Sequence, residues 1–132
     1  MKLKKLIVLA GLVANIAFAN DTVIITEMKN MRDSMNQIND GFFYNKKDKI
    51  TQGLKSLKNA NEIFKTQSDV KLYLPEKIQH MSGISFNNAI KINVNIDKMQ
   101  RFINKNNYRK ASIVYMDIIN SCTSCHSIVR GW

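Results

Sequence analysis

Apolar residues recur along this chain at spacings of 3 and 4, not 2. Ile24, Met28, Met31, Met35, Ile38 and Phe42 are separated by 4, 3, 4, 3 and 4 positions, which keeps them on one stripe of a 3.6-residue helix. The spacing predicts a helix over residues 22–39, with Gly41 marking its end. Ile50, Leu54, Leu57, Ala60 and Phe64 predict a second helix, with Asp48 as its cap. Ile78, Met81, Ile84, Ala89, Ile92, Ile96, Met99 and Ile103 predict a third, whose first turn suits Pro75 and Glu76. Ala111, Tyr115, Ile118, Cys122, Cys125 and Val129 place a fourth stripe near the chain end. The polar stretch 66–74 reads as a connection, and Asn104, Asn106 and Asn107 as a break. Five glycines and one proline are too few turn formers for a sandwich or barrel. The expected fold is all-α: an antiparallel up-down-up-down four-helix bundle. A bundle this small gains from something bound in its core.

The first nineteen residues read differently. Lys2, Lys4 and Lys5 form a basic start, residues 6–18 an apolar run broken only by Gly11 and Asn15, and Ala17-Phe18-Ala19 a small-x-small cleavage site. This is the pattern of a secretory signal peptide. The apolar run is short for a membrane span, which needs about 20 residues. The expected organisation is a signal peptide at 1–19, a single domain at 20–132, delivery to the periplasm, and no transmembrane segment after cleavage.

The full chain carries 20 Lys and Arg against 10 Asp and Glu, for a formal charge of +10. Removing Lys2, Lys4 and Lys5 with the leader brings this to +7. Such a surface attracts acidic proteins or anionic lipid. Export argues against nucleic acid as a partner. The basic residues are scattered, with Lys46, Lys47 and Lys49 the densest group, and the plainest reading of them is a solvated face.

The segment with the most chemistry is Cys122-Thr123-Ser124-Cys125-His126. C-x-x-C-H is the attachment sequence of a c-type haem. Two thiols one helical turn apart add to the haem vinyl groups as thioethers, and the adjacent imidazole supplies the proximal nitrogen to iron. Both cysteines of the chain lie in this pentad. A redox C-x-x-C wants a helix N-terminus, where a thiol pKa is lowered, whereas this pair sits deep in the last predicted helix. A disulfide across one helical turn would be strained. A structural zinc would need further ligands, and the only other histidine is His80. The expected cofactor is one covalently attached haem c.

With the pentad in the last helix, followed by Arg130 four positions after the histidine, the chain resembles the cytochrome c-prime family of four-helix haem proteins over its whole mature length. The run Met28, Met31, Met35, Ile38 is also similar to helix one of the soluble periplasmic four-helix b-type cytochrome, which holds haem without thioethers. Cys122 and Cys125 put this chain on the c-type side. The resemblance implies a homodimer through helices 1 and 2. It also implies that Arg130 covers the proximal haem side or meets a propionate.

The sixth ligand decides what the iron does. In the expected topology helix 1 runs antiparallel to helix 4, so the partner of His126 lies near the start of helix 1. Met28 is about one and a half turns in. Met35 is seven residues further, roughly 10.5 Å along the axis. Met31 reads as a haem-edge residue, and core packing is the ordinary use of any methionine in a stripe. Met28 and His126 are therefore the expected iron ligands. A Met/His pair raises the potential relative to two imidazoles and closes the iron to substrate. No carboxylate pair, nucleophilic triad or glycine-rich phosphate loop points to an enzyme. The expectation is an exported one-electron carrier that meets redox partner proteins, acidic ones by charge. The competing readings are a five-coordinate c-prime-like protein binding NO or CO, as typical family members lack a sixth ligand, and a haem-dependent structural or assembly protein. Among the remaining residues, Arg32 could reach a propionate, Tyr115 packs in the core against the haem edge, and Trp132 could act as a lid. Asn87, Asn88, Asn93 and Asn95 read as solvated surface.

Overall fold

The computed structural model describes the backbone of residues 2–130 and the side chains of residues 21–130. The side chains of the expected leader, and Gly131 and Trp132, lie outside the described residues. All regular structure among the described residues is helical: α1 (Lys2–Phe43), α2 (Lys47–Asn61), α3 (Gln67–Leu72), α4 (Ser82–Asn104) and α5 (Tyr108–Arg130), with 3₁₀ turns at Glu62–Phe64 and Glu76–Met81. No helix among the described residues is long and apolar enough to cross a membrane.

Several boundaries differ from expectation. The α1 backbone is continuous from Lys2, so position 22 is not a helix start. Gly41 lies inside its last turn, because a side chain there would meet Ile50 and the Lys46 carbonyl; the glycine serves close packing rather than termination. The N-cap of α2 is Lys46, and Asp48 sits in the first turn with no capping role. The expected linker 66–74 contains α3, opened by a capping box in which Thr66 and Asp69 exchange hydrogen bonds. That reciprocal pair satisfies two orphan donors and holds a six-residue helix that propensity alone would not.

The largest change is in the third stripe. The 3₁₀ turn Glu76–Met81 rewinds the chain at three residues per turn, so α4 enters with a shifted face. Ser82, Ser85, Asn88, Ala89, Ile92, Ile96, Met99 and Ile103 are buried, whereas Ile84 is 51% exposed. Asn88 is thus interior rather than solvated. Asn93, half-buried, accepts from Asn61, whose Nδ2 also donates to the Ala89 carbonyl at 2.9 Å. Val129 is exposed rather than on the buried face of α5.

The core joins Met31 and Ile38 of α1, Ile50, Leu54, Leu57 and Ala60 of α2, the α4 aliphatics from Ile92 to Ile103, and Ala111, Val114 and Ile118 of α5. Cross-contacts set the neighbours. Gln37 bonds Gln52, Lys58 pairs with Asp97 at 2.7 Å, and Asn88 bonds Ser124. Short turns at residues 44–46 and 105–107 close the α1–α2 and α4–α5 pairs, each around an asparagine with positive φ, Asn45 at 51° and Asn106 at 54°, a conformation asparagine tolerates. Asn107 then bonds the Lys110 amide and opens α5.

Candidate functional site

Two neighbouring stripes run along α5. Ala111, Val114, Ile118 and Ser121 are fully buried. Beside them Tyr115, Ile119, Cys122 and His126 are half-buried at spacings of 4, 3 and 4, with Cys125 alongside. The helix period thus brings both thiols and the imidazole to one flank. Both cysteines are free thiols.

This segment packs against α4. Asn88 Nδ2 donates to Ser124 Oγ at 3.2 Å. The buried Ser85 hydroxyl faces the Cys125 sulfur and favours its ionised form, yet Ser85 Oγ lacks a partner at hydrogen-bonding geometry. Small residues at 82 and 85 let α5 close on α4. Sequence reading passed over Ser85 and took Asn88 for solvated surface, although their three-residue spacing is a signal of an interhelical seam.

Burial pushes the Cys122 thiol up to about 11, with the charge of Cys125 adding to the shift. Burial also raises Cys125, against the opposing effect of Ser85. His126 is lowered, first by burial and then by the Arg130 cation. Tyr115 is raised by burial and by Cys122. At neutral pH the thiols are therefore protonated and the imidazole is neutral. Raised thiol pKa values are the reverse of what a dithiol exchange site needs, while a neutral imidazole keeps the lone pair a metal requires. Among the described residues no group of three or more His, Cys, Asp or Glu side chains comes together to hold a metal. His80 is exposed on the second 3₁₀ turn.

On α1, Met28 and Met35 are half-buried and packed against the core, and Met31 is buried within it. Met31 thus has a packing role. The Tyr115 hydroxyl donates to the Met35 carbonyl at 3.3 Å, and its ring meets Phe42 edge-on at 5.9 Å. Otherwise α1 backs onto α2, and α5 onto α4, far more closely than α1 and α5 approach each other. The α1–α5 seam is therefore the looser one. Its apolar side chains Met28, Met35, Tyr115 and Cys122 touch the core without being covered. Two thiols, a neutral imidazole and incompletely covered apolar walls fit a covalently held haem.

Arg130 is exposed, one turn beyond His126, and its charge reaches the imidazole. Arg32 points its guanidinium at Asp33, 2.7 Å away, with both side chains exposed. A polar groove of ≈ 490 Å³ runs between α1 and α2 past Glu27 and Asp33. A second, of ≈ 480 Å³, lies beside Lys71 and His80. Neither includes the cysteines or His126. Compared with family models, with curated proteins and with solved structures, the chain matches none.

Proposed function

We propose that this chain is an exported monohaem c-type cytochrome that carries one electron at a time in the periplasm. Cys122 and Cys125 would hold haem c through two thioethers, and His126 and Met28 would ligate its iron. The observation that carries this reading is the half-buried C-x-x-C-H segment of α5, which places two thiols and an imidazole within little more than one helical turn. Haem supplies the one-electron chemistry; the chain supplies ligands, apolar walls and exclusion of water.

The proposed architecture is an up-down-up-down bundle of α1, α2, α4 and α5, with α3 in the long connection. Contact pairs support it. Residue numbers rise on one helix as they fall on its neighbour for Asn61–Ala89, Lys58–Asp97 and Thr51–Gln100. The same holds for the α4–α5 contacts Asn88–Ser124 and Ser85–Cys125. Short turns reverse the chain between α1 and α2 and between α4 and α5. In that topology Tyr115 lies level with Met35 to Phe42, which it touches. His126, eleven residues on, then lies level with residues 24–31 of α1. Met28 is at the centre of that window. Met35 lies about 10 Å below it. This register replaces the helix-start argument, which the continuous α1 removes.

A closed Met/His iron suits electron transfer with little rearrangement. The partners proposed are redox proteins, with acidic surfaces favoured by the chain's positive charge. Absorption spectra of the ferric and ferrous protein, with and without CO, test the reading. Low-spin spectra unaffected by CO are expected. A high-spin ferric protein that binds CO rapidly would replace the electron carrier with the gas-binding alternative.

A further inference from the structure

Two loops distant in sequence meet at one end of the molecule. Lys47 Nζ donates to Asn106 Oδ1 at 3.1 Å, which ties the α1–α2 turn to the α4–α5 turn. The first turn brings Lys46, Lys47 and Lys49, and the second brings Lys105, Arg109 and Lys110. Only Asp40 and Asp48 oppose these six cations locally, and Asp40 is 3.8 Å from Lys49. Projecting from this cluster are two consecutive aromatic side chains, Phe43 at 79% and Tyr44 at 67% exposure. Lys49 Nζ lies over the Tyr44 ring at 5.9 Å.

Exposure on this scale is costly for a Phe–Tyr pair. The surroundings say what covers it. The two rings stand where α1 ends and its turn begins, exposed to solvent, so a flat partner can reach both. Aromatic rings favour the headgroup level of a bilayer, and lysines extend their stems past apolar surface while keeping their charge in water. An apolar insertion combined with a polybasic patch is the two-signal arrangement that gives a peripheral protein stable membrane contact.

We infer that the Phe43–Tyr44 tip, with the cations of the two joined loops, is a docking surface for an anionic lipid bilayer. The rings enter the interface and the lysines and arginine meet lipid phosphates. The tip lies at the end of α5 opposite the C-x-x-C-H segment, with sixteen residues, or about 24 Å of helix, between Lys110 and His126. Lipid contact there leaves the cysteine end free. None of the tip residues belongs to the C-x-x-C-H segment, so vesicle binding can be tested separately from the cytochrome reading.

The experiment is co-sedimentation of the full secreted protein with phosphatidylcholine vesicles, with and without phosphatidylglycerol, at physiological salt. Binding is expected only with phosphatidylglycerol. A Phe43→Ser, Tyr44→Ser protein should bind at least about tenfold more weakly. Replacing Lys46, Lys47 and Lys49 by Gln should cost on the order of a hundredfold, since each surface cation contributes roughly fivefold. The same charge removed at exposed Lys71, Lys77 and Lys91, away from the tip, should cost far less. All of these side chains lie outside the core, and circular dichroism checks that each variant is folded. Absence of wild-type binding, or equal loss from the two lysine sets, would overturn the inference. So would undiminished vesicle binding by the aromatic variant. Tip-dependent retention on immobilised polyglutamate without vesicle binding would also overturn it, in favour of an acidic protein partner.

Discussion

Gly53→Ala tests how α1, which carries Met28, is seated. In an exposed helix interior this change stabilises by about 1 kcal/mol. At Gly53 a Cβ would lie 2.6 Å from Ile38 Cγ1 and 2.9 Å from the Ser34 carbonyl oxygen. Comfortable carbon contacts begin near ~3.5 Å, so α1 and α2 would have to part by roughly 0.5–1 Å. Ile38 is fully buried, and the Ser34 oxygen belongs to helix backbone, so neither yields cheaply. Overpacking of this kind costs about 1–3 kcal/mol, and contacts along the parted seam weaken as well. The net expectation is a loss of about 1–2 kcal/mol, or a melting temperature lower by about 5–10 °C in a chain this size. Gly83→Ala is the matched control. Its added Cβ meets only the flexible Gln67 side chain, at 3.4 Å or more, and stability should hold or rise by up to ~1 kcal/mol. Thermal unfolding followed by circular dichroism at equal haem content reads both. A Gly53→Ala protein as stable as wild type would refute close packing of α1 on α2 through this glycine.

Met28→Ala should abolish the weak far-red band of Met-ligated ferric haem and open the iron to CO, whereas Met31→Ala should leave the spectrum intact and cost about 2–5 kcal/mol of stability by chemical denaturation. Thr66→Ala should cost about 1 kcal/mol, the usual value of a lost cap, with amide exchange rising first in α3. In the haem-free chain the Cys122 pKa is raised in the folded state, from 9.0 to about 11. The protonated thiol therefore supports folding fully below about pH 9, and that support is lost as pH rises toward 11, worth about 2 kcal/mol. Cys122→Ser should flatten this part of the stability–pH curve, and the thioether-bound holoprotein should lack it; identical curves for the haem-free chain and its Ser variant would contradict the shift.

The helices were legible, and the C-x-x-C-H pentad could be placed on the last of them, because both signals are local. Spacings of 3 and 4 specify a face without reference to neighbours, and C-x-x-C-H fixes its own geometry on one helix. What sequence missed depends on neighbours. The 3₁₀ turn before α4 rotates Ile84 outward and turns Ser85 and Asn88 inward, a change set by where the incoming chain docks. Asn61 is buried because α4 supplies the Ala89 carbonyl, which no pattern on α2 announces. Asp48 looked like a cap by residue type, yet the turn after Asn45 starts α2 two residues earlier, with Lys46 as its N-cap. The basic loops likewise read as scattered charge until Lys47 and Asn106 are seen to join them.

Intact mass spectrometry of the secreted protein, after extraction with acidified organic solvent, tests covalent haem attachment most directly. The expected species is residues 20–132 plus one haem, with both thiols closed to alkylation. A bare chain mass with Cys122 and Cys125 both alkylated would contradict it.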